Sequence, residues 1–477
     1  MYRALSTFAI SAAAAIAAVM TMSPYALAQA GAGGPQAFPT IPGDQRAANA
    51  ALAALGSVQK DLPANPTAVA LPTMSAKITG PGAMYDSSPA QWPGFDMKHF
   101  NYEVAEYFVS GSASGKPYTT RLVIRKPANN AKFSGLVLAE AMHVIGAAHG
   151  FEFTSVYTMD SGHAAAEILT TGSRLFVDFN KERYGKLRMT PDQSNEILAQ
   201  VGALVRGKNG PLAGLTVRKM VLFGTSASSF ILTNYLTSHM VYRTPEMQHI
   251  YDGFLVTSNG SVIQNVDVPL IQIPTQHEYE NIATARQDSD QPGEQFRDYE
   301  FAGMGHLDSR NNIRFKESDC LNPRSSFPLE AYMSVGLHHL FQWVDKGISP
   351  PHADRILIDR NTAGDGSLMA LDENGNPKGG IRNPYVDLAV VKYTARNTPS
   401  KPAPAQGAGP ADMLLSRLCF LSVWTTPIPQ AKLKQMYGDK GKYVRKFEAR
   451  LKELEKEGWS LPVYHDLIVA DARKVEF

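Results

Sequence analysis

The sequence predicts an α/β fold with a mostly parallel mixed sheet, helices on both faces and a C-terminal extension. Two observations lead to this prediction. Alternating apolar and polar residues at 102–110 and 118–126 flank a Gly/Ser-rich turn at 111–117, which is typical of an antiparallel hairpin. Beyond the hairpin, short continuous apolar runs alternate with helical patterns, and such runs are typical of strands buried on both faces.

The elements after the hairpin follow in chain order. Residues 195–205 have the spacing of an amphipathic helix, which leads to a strand at 220–223. No internal repeat interrupts this succession. The remaining apolar runs are predicted strands, at 135–139, 173–179, 251–257, 270–274 and 297–301.

The first 28 residues have the pattern of a cleaved signal peptide. Arg3 provides a positive start, residues 8–20 form an Ala-rich apolar stretch, and Ala26-Leu27-Ala28 is a typical cleavage pattern. The apolar stretch is shorter than the roughly 20 residues of a spanning helix, and no later segment reaches that length. We therefore expect a periplasmic or secreted protein with no membrane span in the mature chain.

The chain divides into four predicted parts. They are the signal peptide at 1–28, an Ala/Gly/Pro-rich lead-in at 29–75, a core domain at 76–350 and a C-terminal extension at 351–477. Cys320 and Cys419 lie 99 positions apart (419 − 320) in the core and the extension. An oxidising compartment would let them persist as a disulfide, and two buried free thiols are the alternative.

Composition restricts the classes of partner. The 477 residues carry a formal net charge of +2 and no outstanding cluster of lysine and arginine, which argues against nucleic acid and against an anionic membrane surface. Histidine, cysteine and acidic residues show no zinc-ligand spacing along the chain, so we expect neither a metal nor a cofactor. A neutral or amphipathic small molecule is the expected substrate.

The segment at 217–235, VRKMVLFGTSASSFILTNY, predicts a strand, a sharp turn and a helix. A serine at the apex of such a turn is exposed in a strained conformation, and the amide of the next residue points to where an oxyanion would form. These residues are Ser226 and Ala227. The pattern is G-x-S-x-S, with Gly224 and Ser228 at the flanking positions, whereas the usual pattern of such a turn is G-x-S-x-G.

Two later strands end in residues that could complete a catalytic triad. Glu278 follows the strand at 270–274, and His306 follows the strand at 297–301. The chain order serine, acid, histidine is that of the α/β-hydrolase arrangement, and chemistry in such sheets lies beyond the carboxyl ends of the strands. Glu280 is the alternative acid, and Asp308 is a weaker candidate because it lies two residues from His306.

Several stretches resemble the bacterial "alpha/beta hydrolase domain" family of exported serine hydrolases. The resemblance runs from about residue 102 to the C-terminus, includes both cysteine positions, and rests on GTSASSF, YDGFLV, ARQDSDQPGEQFRDYEFAGMGHLD and DENGNPKGGIRNPYVDLAVVKY. It implies a single α/β-hydrolase fold with a C-terminal extension, a nucleophile at Ser226 and a base at His306. The chain departs from the family at the acid, where Thr275-Gln276-His277-Glu278 stands in place of a Thr-Glu pair.

These residues predict a serine hydrolase that cleaves a carboxylic ester through an acyl-enzyme on Ser226. The expected oxyanion donors are the amide of Ala227 and one amide near Met142 and His143, after the strand at 135–139. Lactones and amides are alternative substrates, and a non-catalytic binding protein on the same fold is the alternative of another class. A cover for the site is expected from 144–171 or from the extension.

Overall fold

The computed structural model describes residues 65–278, 286–310, 316–359, 369–401 and 410–477. The expected signal peptide, most of the lead-in and the alternative acid Glu280 therefore lie outside the described residues. A nine-stranded mixed sheet forms the centre of the described chain. Its strands are β2 (Thr73–Met74), β3 (Tyr102–Ala113), β4 (Lys116–Pro127), β5 (Leu136–Ala141), β6 (Ala164–Ile168), β7 (Lys219–Thr225), β9 (Gly253–Thr257), β10 (Leu270–Ile273) and β11 (Phe296–Asp298). They are arranged in the order β11-β10-β9-β7-β5-β6-β4-β3-β2.

Six neighbouring strands, from β11 to β6, run parallel, whereas β4, β3 and β2 are antiparallel additions at one side. The predicted hairpin is confirmed as β3 and β4, which are joined by Ser114 and Gly115. Both of these residues have positive φ, at 49° and 71°, which suits the right-handed twist of a two-residue hairpin turn. Two small pairs complete the strands: β1 (Thr67–Ala68) with β8 (Tyr242–Arg243), and β12 (Val391–Thr394) with β13 (Trp424–Pro427).

Both faces of the parallel part are buried, because successive side chains of a strand point to opposite faces. In β7, Val221 and Phe223 join one hydrophobic cluster while Met220 and Leu222 join another. The second face is covered by α5 (Ser194–Arg206), the amphipathic helix expected at 195–205, and by α6 (Ala227–Val241), the helix after the serine turn. The first face is covered by α7 (Leu329–Lys346) and residues of the extension.

The shorter helices lie in the connections and in the extension. Between β5 and α5 are α1 (His149–Glu152), α2 (Ser155–Asp160), α3 (Ser173–Phe179) and α4 (Lys181–Tyr184). The extension contains α8 (Pro384–Asp387), α9 (Pro410–Phe420), α10 (Gln430–Tyr437), α11 (Lys440–Glu457) and α12 (His465–Arg473). Over the described ranges, the helices include none with the length and apolar character that a bilayer crossing requires.

One predicted strand is wrong. Residues 173–179 form α3, which begins after Gly172 in the left-handed conformation and buries only Leu175 and Phe176. The strand of this region is β6, whose sequence AAAEI lies between β5 and β4 and is fully buried. A short apolar run has the same periodicity in a buried strand and in a short helix, which explains the error.

Candidate active site

The serine turn has the geometry that its sequence predicts. Ser226 lies between β7 and α6 with φ 51° and ψ −121°, a conformation that is costly for a residue with a side chain. Its amide donates to the carbonyl of Thr257 at 3.2 Å, which fixes the turn to β9. A Cβ at Gly224 would lie 2.7 Å from the carbonyl oxygen of Ser228, so only glycine fits this close crossing of strand and helix.

The second serine of the G-x-S-x-S pattern has a structural role here. The hydroxyl of Ser228 accepts from the amide of Thr225 and donates to the carbonyl of the same residue, both at 2.9 Å. The side chain of Ser228 is fully buried, whereas Ser226 is half-buried. The hydroxyl of Ser228 is therefore occupied by the last residue of β7, and Ser226 is the more exposed of the two serines.

Glu278 and His306 contact each other directly. Nδ1 of His306 lies 2.8 Å from Oε1 of Glu278, and both side chains are largely buried. Ser226, Glu278 and His306 follow β7, β10 and β11, three parallel strands of one sheet, at their carboxyl ends. Because Nδ1 of His306 is hydrogen-bonded to Glu278, Nε2 is the ring nitrogen that remains to accept a proton from a nucleophile.

Thr275 positions Glu278, a role that is not among the sequence predictions. The amide and the hydroxyl of Thr275 both donate to Oε2 of Glu278, at 2.8 and 2.5 Å. Burial acts to raise the pKa of Glu278, but the charge and hydrogen bond of His306 and the bond from Thr275 lower it on balance. The T-x-x-E spacing, familiar from helix N-termini, was the available signal.

The loop that carries His306 is held from both sides. The amide of Gln276 donates to the carbonyl of Met304 at 3.0 Å, which joins this loop to that of the acid. On the other side, the amide of Leu307 donates to the carbonyl of Leu421 at 3.1 Å, and a Cβ at Gly305 would lie 2.6 Å from the Val423 side chain. The extension therefore packs directly on the loop of His306.

A disulfide joins Cys320 to Cys419, at the end of α9, and their Cα atoms are 5.5 Å apart. The next residue, Phe420, is 45% exposed, and its ring lies 5.9 Å from the ring of His277. The ring centroid of His277 in turn lies 6.3 Å from that of His306. The bridge thus holds an exposed aromatic residue of the extension close to His306.

The expected oxyanion donors differ in availability. Ala227 is the first residue of α6, and its N–H has no acceptor within the helix. The amide of Met142 donates to the carbonyl of Ile168, and the amide of His143 donates to the carbonyl of Ala147, both at 3.0 Å. The expectation for these two amides is therefore corrected, because the turn after β5 uses both of them for its own hydrogen bonds.

The imidazole of His143 lies beside that of His149, with the ring centroids 5.1 Å apart, and is near enough to His306 for the charge of that residue to act on it. Its Nδ1 accepts from the amide of Ile145 at 3.3 Å, so the ring carries its proton on Nε2. Burial, assisted by the neighbouring charges of His149 and His306, lowers the pKa of His143 well below its ordinary value. The ring is therefore neutral at working pH and is available as a hydrogen-bond donor.

Part of 144–171, one of the two segments expected to cover the site, belongs to the hydrophobic core. Phe153 and Tyr157 are buried in the main hydrophobic cluster. Glu140, at the end of β5, accepts from the amide of Gly150 at 2.7 Å and is 2% exposed, so it supports the start of α1. Burial raises its pKa well above the ordinary value, against the opposing effect of the bonded amides.

The profile of the "Alpha/beta hydrolase domain" family matches residues 63–470. The chain belongs to this family. The match spans the core and the extension of this alpha/beta hydrolase and includes Ser226, Glu278 and His306. Among curated proteins, no relative matches the sequence.

Solved structures similar to this alpha/beta hydrolase have low identity to it. A cold-adapted esterase from an Arctic intertidal metagenomic library is 16% identical, with 36% of this chain and 71% of that one covered and a TM-score of 0.23. The esterase Est22 is 9% identical, with 40% and 70% covered and a TM-score of 0.29. Oligopeptidase B from Leishmania major is 10% identical, with 54% and 38% covered and a TM-score of 0.33.

Proposed function

We propose that this alpha/beta hydrolase is a serine esterase that cleaves a carboxylic ester through an acyl-enzyme on Ser226. The observation that carries the proposal is the 2.8 Å contact between Nδ1 of His306 and Glu278, at the same end of the sheet as the strained Ser226. A buried carboxylate on Nδ1 directs the basic lone pair of the ring to Nε2 and stabilises the imidazolium that forms during the reaction. A binding protein would have no need of this arrangement.

The proposed reaction has two halves. In the first, His306 takes the proton of the Ser226 hydroxyl as the oxygen forms a bond to the acyl carbon, and then gives the proton to the departing alcohol as the ester bond breaks. In the second, His306 takes a proton from water, whose oxygen attacks the acyl carbon, and the Ser226 oxygen leaves with that proton. The products are a carboxylic acid and an alcohol, and the enzyme is regenerated.

The tetrahedral oxyanion needs donors that already point at it. The amide of Ala227 is the first, by its place at the start of α6. For the second we propose Nε2–H of His143, because the backbone amides of Met142 and His143 are both bonded elsewhere. Losing one such donor typically lowers the rate by roughly 100- to 1,000-fold.

The test of this donor is a pair of variants at His143. His143→Ala removes the N–H, whereas His143→Gln can return an N–H near the position of Nε2. We expect kcat for p-nitrophenyl acetate to fall by about 100-fold in the alanine variant and to recover in part in the glutamine variant, with KM changed little. Equal kcat in the native and alanine proteins would assign the second donor elsewhere.

Export is part of the proposal. The signal pattern at 1–28 supports it, and so does the Cys320–Cys419 disulfide, because such bonds persist in oxidising compartments. N-terminal sequencing of the protein from the periplasm or the medium should give a start after Ala28. Recovery of the full-length chain from the cytoplasm alone would contradict export.

A fluorophosphonate probe tests the serine hydrolase. It should label the native chain and Ser228→Ala, and it should not label Ser226→Ala, because Ser228 is occupied by Thr225. Absence of labelling in the native protein, or equal labelling of Ser226→Ala, would favour a binding protein. A panel of p-nitrophenyl esters, lactones and anilides then separates esterase from lactonase and amidase, and the proposal expects the esters to be hydrolysed fastest.

A further inference from the structure

Two histidines and one aspartate converge at the amino end of the parallel strands, which is the end of the sheet opposite Ser226 and His306. His239 lies near the C-terminal end of α6, His249 precedes β9, and Asp267 precedes β10. His239 is 12 positions beyond the first residue of α6 (239 − 227), or roughly 18 Å along a helix that rises 1.5 Å per residue. We call these three residues the His-His-Asp cluster.

The geometry of the cluster is that of a preformed ligand set. Nε2 of His239 lies 2.9 Å from Oδ1 of Asp267, and Nε2 of His249 lies 2.9 Å from Oδ2 of the same carboxylate. The ligand atoms of all three residues lie within 4.8 Å of one another. The two imidazole rings are stacked with their centroids 5.2 Å apart and an angle of 16° between their planes, so both Nε2 atoms face the same carboxylate.

The charge states suit a cation. Burial lowers the pKa of His239 below its ordinary value, although contact with Asp267 acts in the opposite direction. Burial acts to raise the pKa of Asp267, but its bonds to His239 and His249 lower it on balance. His239 is therefore neutral and Asp267 ionised near pH 7, which are the forms in which imidazole and carboxylate bind metals.

Arg243 is the positive group next to the cluster, and its contacts are mostly to the helix end. Its Nη1 donates to the carbonyls of His239 at 2.7 Å and of Tyr242 at 2.9 Å, where the helix dipole favours positive charge. Its Nη2 lies 3.3 Å from Oδ2 of Asp267. A hydrogen bond from a second residue to a ligating carboxylate is common around bound metals, so Arg243 is compatible with a metal here.

We propose that the His-His-Asp cluster binds one Zn²⁺ ion through Nε2 of His239, Nε2 of His249 and the carboxylate of Asp267, with water as the fourth ligand. Two nitrogens and one carboxylate oxygen form a ligand set that Zn²⁺ takes in tetrahedral sites. The side chains of His249 and Asp267 are 36% and 34% exposed, which opens the site to solvent. Each ring then carries its proton on Nδ1. For His239 no acceptor for this proton is found among the described residues, so the bonds to Zn²⁺ must offset the cost of a buried, unpaired N–H.

The ion would have a structural role. It would join the end of α6, the helix that begins at Ser226, to the residues before β9 and β10. Because the folded chain brings together residues up to 28 positions apart (267 − 239), the unfolded chain would bind the ion more weakly. Zn²⁺ therefore raises the stability of the folded state.

The test is calorimetric titration of ZnCl₂ into tag-free, EDTA-treated full chain, with Tm measured in parallel. We expect one Zn²⁺ per chain and a rise in Tm. The variants His249→Gln and Asp267→Asn should bind at least about 100-fold more weakly, since even loss of a supporting hydrogen bond costs 10- to 100-fold. His99→Gln, a change at an exposed histidine outside the cluster, is the control and should bind as the native chain does.

Two results would overturn the proposal. One is the lack of saturable Zn²⁺ binding by the native chain. The other is native-like binding by a folded His249→Gln or Asp267→Asn variant, with folding checked by circular dichroism. Because the cluster is remote from the triad, ester hydrolysis should proceed after EDTA treatment, and this keeps the metal proposal separate from the proposed function.

Discussion

Replacing Glu278 with glutamine should reverse the tautomer of His306. In the structure, Oε2 of the carboxylate accepts two bonds from Thr275, and Oε1 accepts from Nδ1 of the histidine. A glutamine side chain has one accepting oxygen. Since the amide of Thr275 can only donate, that oxygen will face Thr275, and the amide NH₂ will face Nδ1 of His306.

The imidazole must then accept at Nδ1 and carry its proton on Nε2. In that state it is not able to take the proton of Ser226, which is the reason that the analogous acid-to-amide change in a serine protease lowers kcat by about 10⁴-fold. We expect a similar loss here for Glu278→Gln, equivalent to about 5.4 kcal/mol at 1.36 kcal/mol per factor of ten. Substrate binding should change little, so the loss should appear in kcat and not in KM.

The assay is steady-state hydrolysis of p-nitrophenyl acetate. Glu280→Gln is the matched control, because Glu280 is the other acid that the sequence offers, and it should retain native activity. Near-native activity of Glu278→Gln, together with a large loss in Glu280→Gln, would refute the assignment of the acid.

Three further predictions concern stability, measured as the free energy of unfolding in urea. Ser228→Ala should cost about 1–3 kcal/mol, because it removes the buried acceptor of the Thr225 amide; an unchanged value would contradict that role. Replacing Cys320 and Cys419 by serine should cost about 2–5 kcal/mol and lower ester hydrolysis, whereas unchanged stability and activity would show that the bridge does not support the loop of His306. Glu330 is buried in α7, where its carboxyl group accepts from the amide of Val156 at 2.8 Å. Burial raises its pKa to about 7 from 4.5, so its contribution to the free energy of unfolding is full below pH 4.5 and is lost as pH rises through 7. Glu330→Gln should flatten that decline with pH, and an unaltered pH profile would count against this role.

The fold, the serine turn and the contact between Glu278 and His306 could be predicted because their signals are local. The turn at Ser226 needs small residues at fixed offsets, and Glu278 and His306 each follow their own strand, so chain order carries the information. The helix at 173–179 is predicted as a strand because a run of seven residues is too short for its periodicity to distinguish a helix from a buried strand. The strand of this region, β6, is built largely of alanine and therefore gives a weak strand signal.

Other features depend on contacts that sequence spacing does not encode. Which amide of the turn after β5 is free depends on the hydrogen bonds of Met142 and His143 with Ile168 and Ala147. The His-His-Asp cluster is formed by three segments that meet only in the folded chain, and their separations match no zinc-binding spacing.

The role of Thr275, in contrast, could be predicted from its T-x-x-E spacing with Glu278.

The proposed mechanism requires a covalent acyl intermediate on Ser226. The most direct measurement is rapid mixing with p-nitrophenyl acetate, acid quenching and mass spectrometry of the digested chain. We predict an acetyl group on the peptide that contains Ser226, transient in the native protein and absent from Ser226→Ala. An acetyl group on another residue, or ester hydrolysis that persists at the native rate in Ser226→Ala, would contradict the mechanism.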